Sequence, residues 1–397
     1  MKSVKIYAEA LENEALSQFE KAMSLPCNVQ GALMPDAHTG YTLPIGAVIK
    51  SEGIVFPSYV GYDIGCGMCA LKLDMTKDDL HVEELKAKIL EAIPLGIEKH
   101  STKQSYTPLP CTLVAQAFYE EVGQYQLGTL GGGNHFIELG IGKDAKVWIV
   151  IHSGSRGFGK KIAEYYMYEA AMNSVDHKEF EKEFEEANIL FKACNLEKFE
   201  LAKHNYVIKK IQAASKAALE SHVGFEIHTP QGKAYLLDME CALAFALANR
   251  KAMVQAIVRL MGHPKELLFI NRNHNHAELK EGYVIHRKGA THAEKEMLGV
   301  IPGNMRDGSF IVRGKGNHEA LFSSSHGAGR VLSRSKALSG LDLGEFYTDM
   351  QGIVTNHTSK TLDESPRAYK DIFEVMKLQE NLVEVIDHIK PFLNLKG

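Results

Sequence analysis

The run Lys146-Val147-Trp148-Ile149-Val150-Ile151-His152-Ser153-Gly154-Ser155-Arg156-Gly157 decides how the chain is read. Val147 to Ile151 are all β-branched or aromatic, the composition of a strand. The run ends in a histidine and a Gly/Ser segment that favours a turn. A strand that delivers a histidine into such a loop places a ligand at the edge of a sheet. The same grammar recurs on both sides. Leu267-Leu268-Phe269-Ile270 runs into Asn271-Arg272-Asn273-His274-Asn275-His276. Gly131-Gly132-Gly133 leads into an apparent strand on which Asn134, Phe136 and Glu138 alternate with His135.

Further strands are expected at 43–49, 53–60, 68–73, 283–286 and 309–313. Helices are expected at 8–24, 81–97, 112–122, 234–261 and 368–389, with two or three more across the charged stretch 160–222. The charge alternation there is that of a solvated helix face. Residues 32–41 read as a polar loop punctuated by Pro35 and Gly40. Between Val60 and Met68 lie three glycines, Gly61, Gly65 and Gly67, which suit a loop holding Asp63 and Cys66 in one turn. No repeat or linker divides the chain, and the glycine-rich loops are spread from residue 35 to residue 330. One large domain over residues 1–397 whose loops converge is therefore expected.

The formal net charge of −4 excludes a broad basic coat for nucleic acid, while leaving room for a local basic groove. The segment Met1 to Tyr7 has no apolar signal core, and no stretch reads as long and apolar enough to span a bilayer. A cytoplasmic protein with no membrane partner is expected. The six cysteines are scattered, so no disulfide framework is expected. Cys66-Gly67-Met68-Cys69 is a lone CxxC, which leaves Cys66 free to act by itself.

Asp63, Cys66, His135, His152 and His274 each sit beside glycines or at a strand end. One carboxylate, one thiolate and three imidazoles in four loops compose a dispersed metal site, large enough for two ions with the thiolate bridging. Such a pair would neutralise phosphate oxygens in a phosphoryl-transfer transition state. Thiolate and imidazole softness points to zinc, with manganese, iron and cobalt open. Gly131 to Asn134 offers backbone donors to a phosphate but is not a P-loop, since no Lys-Ser/Thr follows in frame. Arg156 suits a terminal phosphate or a salt bridge. Phe136 suits a stacked base or a packed core, and Glu138 could accept from the N1–H and N2–H₂ edge of guanine. Finally, Phe322-Ser323-Ser324-Ser325-His326-Gly327-Ala328-Gly329-Arg330 sets an unobstructed imidazole among small residues, as a histidine attacking phosphorus requires.

These blocks resemble the RtcB family of RNA-splicing ligases. The likeness also covers Met34-Pro35-Asp36-Ala37-His38, Gly61 to Met68, Arg287-Lys288-Gly289-Ala290, Ile301-Pro302-Gly303, Arg313-Gly314-Lys315-Gly316-Asn317, Glu364 to Lys370 and Lys396-Gly397, in the family's order. The resemblance implies an α+β fold, a single large domain with mixed sheets and long helices, and a GTP- and Mn²⁺-dependent ligase. It would join RNA ending in a 2′,3′-cyclic phosphate or 3′-phosphate to RNA with a 5′-hydroxyl, in tRNA splicing or RNA repair. By resemblance, Asp63, Cys66, His135, His152 and His274 hold two Mn²⁺, with Cys66 bridging, so manganese replaces zinc. His326 becomes the guanylated histidine. Asn134, Phe136, Glu138, Asn304, Ser309, Gly327, Ala328, Gly329, Tyr369 and Lys396 fall around the guanylate, and Arg156 at the RNA phosphate. An archease-like activator accompanies some members.

Three departures stand out. Tyr62 replaces a usual valine, Asn304-Met305-Arg306 replaces Ser-Met-Gly, and Ser323-Ser324-Ser325 precedes His326 where a cysteine is common. They are the positions at which a divergent RNA-repair subgroup would differ. The ligand set alone also permits a binuclear metal-dependent phosphoesterase, and the third reading is a non-catalytic protein that binds RNA ends.

Overall fold

A computed structural model describes residues 2–174 and 222–397. Seventeen strands fall into two main sheets and two small pairs. In the first sheet the order is β1-β2-β3-β11-β10. These strands are β1 (Ser3–Ile6), β2 (Asn28–His38), β3 (Ile45–Glu52), β10 (Asn275–Lys280) and β11 (Tyr283–Lys288). The second runs β13-β14-β17-β6-β7-β5-β9. Its members are β5 (Gly67–Leu73), β6 (Phe136–Ile141), β7 (Val147–Ser153), β9 (Glu266–Asn273), β13 (Leu298–Pro302), β14 (Ser309–Gly314) and β17 (Val383–Lys396). Short β16 (Val354–Thr355) lies parallel to the end of β17. The small pairs join β4 (Ile54–Val55) to β8 (Phe225–Glu226), and β12 (Ala290–His292) to β15 (Ser323–Ser325). Helices pack on these sheets, so the fold is α+β.

β7 is buried on both faces. Trp148 and Val150 meet Met68, Ala70, Phe136, Val300 and Ile311. Ile149 and Ile151 meet Leu71, Leu139 and the helix residues Met253, Val254 and Ile257. That helix, Pro230–Leu260, begins with the Thr229 side chain accepting from the Gly232 N–H and with Pro230 in its first turn. By length and composition it could cross a bilayer, contrary to the sequence expectation that no stretch could. It is instead a core helix: Tyr235, Phe245, Asn249, Arg250 and Met253 are fully buried in the protein.

Three local expectations change. Residues 32–41 are not a loop: β2 runs to His38, with its pairing to β3 interrupted between Leu33 and His38. That irregularity accommodates Pro35, which cannot donate to a ladder. The expected strand 53–60 is only Ile54–Val55, because Pro57 starts a one-turn helix, Pro57–Val60. The expected helix 368–389 is a short helix, Ile372–Lys377, followed by β17. Val383, Val385, Ile386 and Ile389 prefer a strand, and Pro391, at a shift in the β17–β6 register, could not sit inside a helix. Of the stretch 160–222, the helix Arg156–Ser174 is seen, and residues 175–221 lie outside the described residues. The remaining helices appear as expected at Asn13–Ser24, Val82–Ala92 and Leu113–Glu121. Among the described residues, Cys27, Cys66, Cys69, Cys111 and Cys241 are all free.

Candidate metal and nucleotide site

Three neighbouring strands bring the expected ligands together at one end of the second sheet. Register pairs Met68 with His152 across β5 and β7, and Gly67 with Asn273 across β5 and β9. His274 follows Asn273, and its N–H donates to the Cys66 carbonyl at 2.7 Å. His135 immediately precedes β6, on the other side of β7. The Cys66 N–H donates to the Asp63 carbonyl at 3.0 Å, the single turn that the glycine-rich segment implied.

The five donors divide into halves around Cys66. On one side Asp63 Oδ2 lies 3.1 Å from His135 Nε2, and on the other His152 Nε2 lies 3.2 Å from His274 Nε2. Cys66 Sγ stands between, 3.4 Å from His135 Nε2 and 3.1 Å from His152 Nε2. His135 Nδ1 donates to the Leu130 carbonyl and His152 Nδ1 to the Asn134 carbonyl, leaving both Nε2 lone pairs facing the cluster. Arg156 Nη1 is 3.2 Å from His135 Nδ1, but that nitrogen cannot accept from it while donating to Leu130. Burial pushes the Asp63 carboxyl up, yet hydrogen bonding and charge from His135, with Arg156 beyond, hold it below its usual range. Burial and the Asp63 charge push the Cys66 thiol well up. A half-buried carboxylate beside a buried thiol and three buried imidazoles is a donor set that fits divalent metal. Cys69, the other half of the CxxC, packs with Leu71 and Ile151 in the core and takes no part.

His326 stands directly beyond this cluster, its ring centroid 4.8 Å from that of His274. β15, which leads into it, is clamped on β12 with Ser325 opposite Ala290, and the Ala290 N–H donates to the His274 carbonyl. Fully buried Asp36 organises the loop. Its Oδ2 accepts from the backbone N–H of His326 at 3.1 Å and of Gly327 at 3.2 Å, and lies 2.7 Å from His326 Nδ1. A proton on Nδ1 beside this carboxylate leaves Nε2 as the nitrogen with a free lone pair. Gly329 has φ +77°, and a Cβ there would stand 2.3 Å from the Asp36 carbonyl oxygen, so the turn requires glycine.

His326 lines two cavities. The smaller, about 280 Å³, is also walled by Asn134, Phe136, Asn304, Gly327, Ala328, Gly329, Tyr369 and Lys396, eight of the residues expected around a guanylate. Glu138 and Ser309 are buried and do not wall it. Phe136 is at once a core residue and a cavity wall, with Lys396 Nζ 5.0 Å above its ring. Asn304, at a departure from the family pattern, is spent on its own loop: its amide donates to Asp307 and accepts from the Arg306 and Asp307 N–H groups. The larger cavity, about 510 Å³, reaches Asp63, Cys66 and His274. Arg156 lines neither; it is half-buried behind His135, with φ +58°.

Sequence reading assigned no individual role to several residues that the fold brings here. Arg330 and Arg334 line both cavities and converge on Glu364, at 3.2 and 2.7 Å. Glu364 also accepts from Lys396 Nζ and the Tyr369 hydroxyl, each at 2.6 Å. Lys288 enters the larger cavity with its amine pushed down to about 8 by burial. Fully buried Arg250 donates to the Gly65 and Ser153 carbonyls and to Asn271 and Asn273, tying the Cys66 loop to the ends of β7 and β9. The conspicuous signal for Asp36 and His38 was their place beside Pro35, polar residues inside an otherwise apolar run.

Glu138 yields a pH prediction. Burial pushes its carboxyl from 4.5 up to about 8, partly offset by Ser309, Asn394 and Lys396. Between those values the folded chain keeps a proton that the unfolded chain releases. Glu138's stabilising contribution is therefore present below pH 4.5 and is lost as pH rises through about 8. Thermal melts of wild type and Glu138→Gln at several pH values in that window should diverge, wild type losing ground by at most about 1.4 kcal/mol per pH unit. Parallel curves would refute the burial account.

The family profile described as tRNA-splicing ligase RtcB matches residues 18–118 and 112–397. RNA-splicing ligase RtcB of Escherichia coli (strain K12) is 33% identical over 402 residues, covering 92% of this chain and 90% of that protein. RNA-splicing ligase RtcB of Mycobacterium tuberculosis is 26% identical over 452 residues, covering 92% and 96%. tRNA-splicing ligase RtcB of Nanoarchaeum equitans is 28% identical over 488 residues, covering 100% and 94%. With near end-to-end matches of this kind, and a buried donor cluster where the shared motifs meet, the chain belongs to the RtcB family.

Proposed function

We propose that this chain is a GTP- and Mn²⁺-dependent RNA ligase that joins 3′-phosphate or 2′,3′-cyclic phosphate ends to 5′-hydroxyl ends, with His326 as the carrier of GMP. The observation that carries the reading is the position of His326, between a cavity walled by the expected nucleotide contacts and one that opens on the metal donors. We read residues 1–397 as one catalytic unit, since both main sheets feed this site.

In this scheme Asp63, Cys66, His135, His152 and His274 would hold the Mn²⁺, and metal bound there would supply charge neutralisation for the phosphate oxygens. Asp36 keeps the proton on His326 Nδ1, and Nε2 attacks the α-phosphorus of GTP as pyrophosphate leaves. The RNA 3′-phosphate then takes the guanylate from His326, giving an RNA-3′-ppG end. The 5′-hydroxyl attacks that activated phosphorus and GMP departs. Arg330 and Arg334, held by Glu364, face the phosphates from both cavities. Arg156, behind His135 and lining neither cavity, is placed less well for the RNA-phosphate role implied by resemblance.

Defined RNA ends, incubated with and without GTP and Mn²⁺, test the reading. Joining should require both GTP and Mn²⁺, and a 3′-hydroxyl end should not join. Loss of terminal phosphate without GTP would favour the binuclear phosphoesterase, and binding with neither reaction would favour an end-binding protein. The same assay in cell extract reports whether an archease-like activator is needed, and whether tRNA halves or broken RNAs are preferred. Cytoplasmic residence is part of this proposal.

A further inference from the structure

The larger cavity holds two aromatic side chains that the ligand and nucleotide chemistry does not use. Tyr41 is 68% exposed, the most solvent-open tyrosine among the exposed large hydrophobics, yet its backbone is tied down. Gln18 Nε2 donates to the carbonyls of Gly40 and Tyr41 at 3.0 and 2.8 Å, and Glu12 accepts from the Thr39 N–H. Tyr62 packs on one side against the core under the helix Pro230–Leu260, and follows Gly61 at φ +86° into the turn that presents Asp63. The two rings meet at 6.0 Å with planes 87° apart, and both wall the cavity that contains Asp63, His274 and His326. Perpendicular rings on fixed backbone form a corner, with one open face and one edge, that a flat heterocycle fits. A single exposed tyrosine needs no explanation. A pair anchored at the mouth of a cavity carrying Lys288, Arg330 and Arg334 has the composition that grips single-stranded nucleic acid: cations for the backbone and aromatic faces for the bases.

We infer that Tyr41 and Tyr62 form a stacking corner for the terminal nucleobase of the RNA strand that bears the 3′-phosphate. The inference rests on the proposed reaction and adds a contact to it. The guanylate cavity lies on one side of His326, so a 3′-phosphate approaching His326 must bring its nucleoside in through the other cavity. Tyr62 adjoins Asp63 in the chain, which places the base next to the group that holds the phosphate's metal. Since every base has an aromatic face, the corner tolerates any sequence but requires that a base be present.

Equilibrium binding of labelled RNA by fluorescence anisotropy tests this without relying on catalysis. For a short single strand with a 3′-phosphate, Tyr41→Ala should raise Kd by about tenfold, within the range of a lost base stack, while Tyr41→Phe keeps the wild-type value. Tyr62→Val should act in the same direction. An RNA whose 3′-terminal nucleotide is abasic should bind wild type as weakly as the intact strand binds Tyr41→Ala, and Tyr41→Ala should weaken it no further. Equal binding of the intact strand by wild type and Tyr41→Ala would overturn the inference. So would an unchanged penalty on the abasic strand, or sensitivity only to the terminal base of a 5′-hydroxyl strand. Ligation by wild type, measured separately, tells whether the underlying reading fails instead.

Discussion

Replacing His326 with alanine should abolish acid-labile labelling of the protein by α-labelled GTP in the presence of Mn²⁺, while wild type is expected to take up label. The expectation follows from the isolation of the imidazole. Its Nδ1 faces the buried Asp36 carboxylate at 2.7 Å, and its other nitrogen is left to the cavities on either side. A phosphorus–nitrogen bond formed there is labile to acid, which separates it from an ester on a nearby serine. Ser323, Ser324 and Ser325 are buried against β12 and wall neither cavity, so they offer no substitute nucleophile. The variant should also keep its metal, because His326 lies outside the donor cluster. Equal labelling of wild type and variant would remove His326 from the mechanism. Loss of metal from the variant would mean that the cluster boundary is drawn in the wrong place.

Cys66→Ala has the second large effect. Cys66 is the donor that touches both halves of the cluster, at 3.4 Å to His135 and 3.1 Å to His152. Losing a group that only orients a ligand costs about 10–100-fold in metal affinity. Removing the shared thiolate should exceed this for both ions together, seen as Mn²⁺ retained per chain after dialysis against a fixed free concentration. Substituting His135 alone should leave one ion bound more tightly than the other. Wild-type metal content in Cys66→Ala would dismiss the bridging arrangement, and loss of only one ion would reassign Cys66 to one half. Thermal unfolding of the metal-free proteins separates loss of ligand from loss of fold.

The chemistry was legible where a residue's role depends on its own type and its immediate neighbours. His152 after a β-branched run, Cys66 among glycines and His326 among serines and glycines all announce accessible donors from local sequence. The strands beneath them were legible for the same reason, since Val147 to Ile151 can hardly be anything else. Misreadings arose where local preference was overruled at a distance. Asp36 sits in a stretch with the punctuation of a loop, yet bulged pairing with β3 absorbs Pro35 and turns the carboxylate onto a loop 290 residues away. Residues 383–389, the first half of β17, were expected to end a helix. Only their place between β14 and β6 makes them part of a long strand.

By itself, the sequence marked out short strands ending in glycine-rich loops and the carboxylate, thiol and imidazole donors carried there, because these follow from periodicity, turn chemistry and side-chain type. The metal and nucleophile roles of those residues were expectations from the family resemblance. Only the tertiary structure decided the rest. It divided the five donors into two halves about Cys66, set Arg156 behind His135 and left Glu138 and Ser309 out of the cavity wall. It also drew Arg330, Arg334, Tyr369 and Lys396 onto Glu364 and paired Tyr41 with Tyr62 at the cavity mouth. These depend on strand register and loop closure, which bring together side chains 21 to 122 residues apart, and no local preference encodes such separations.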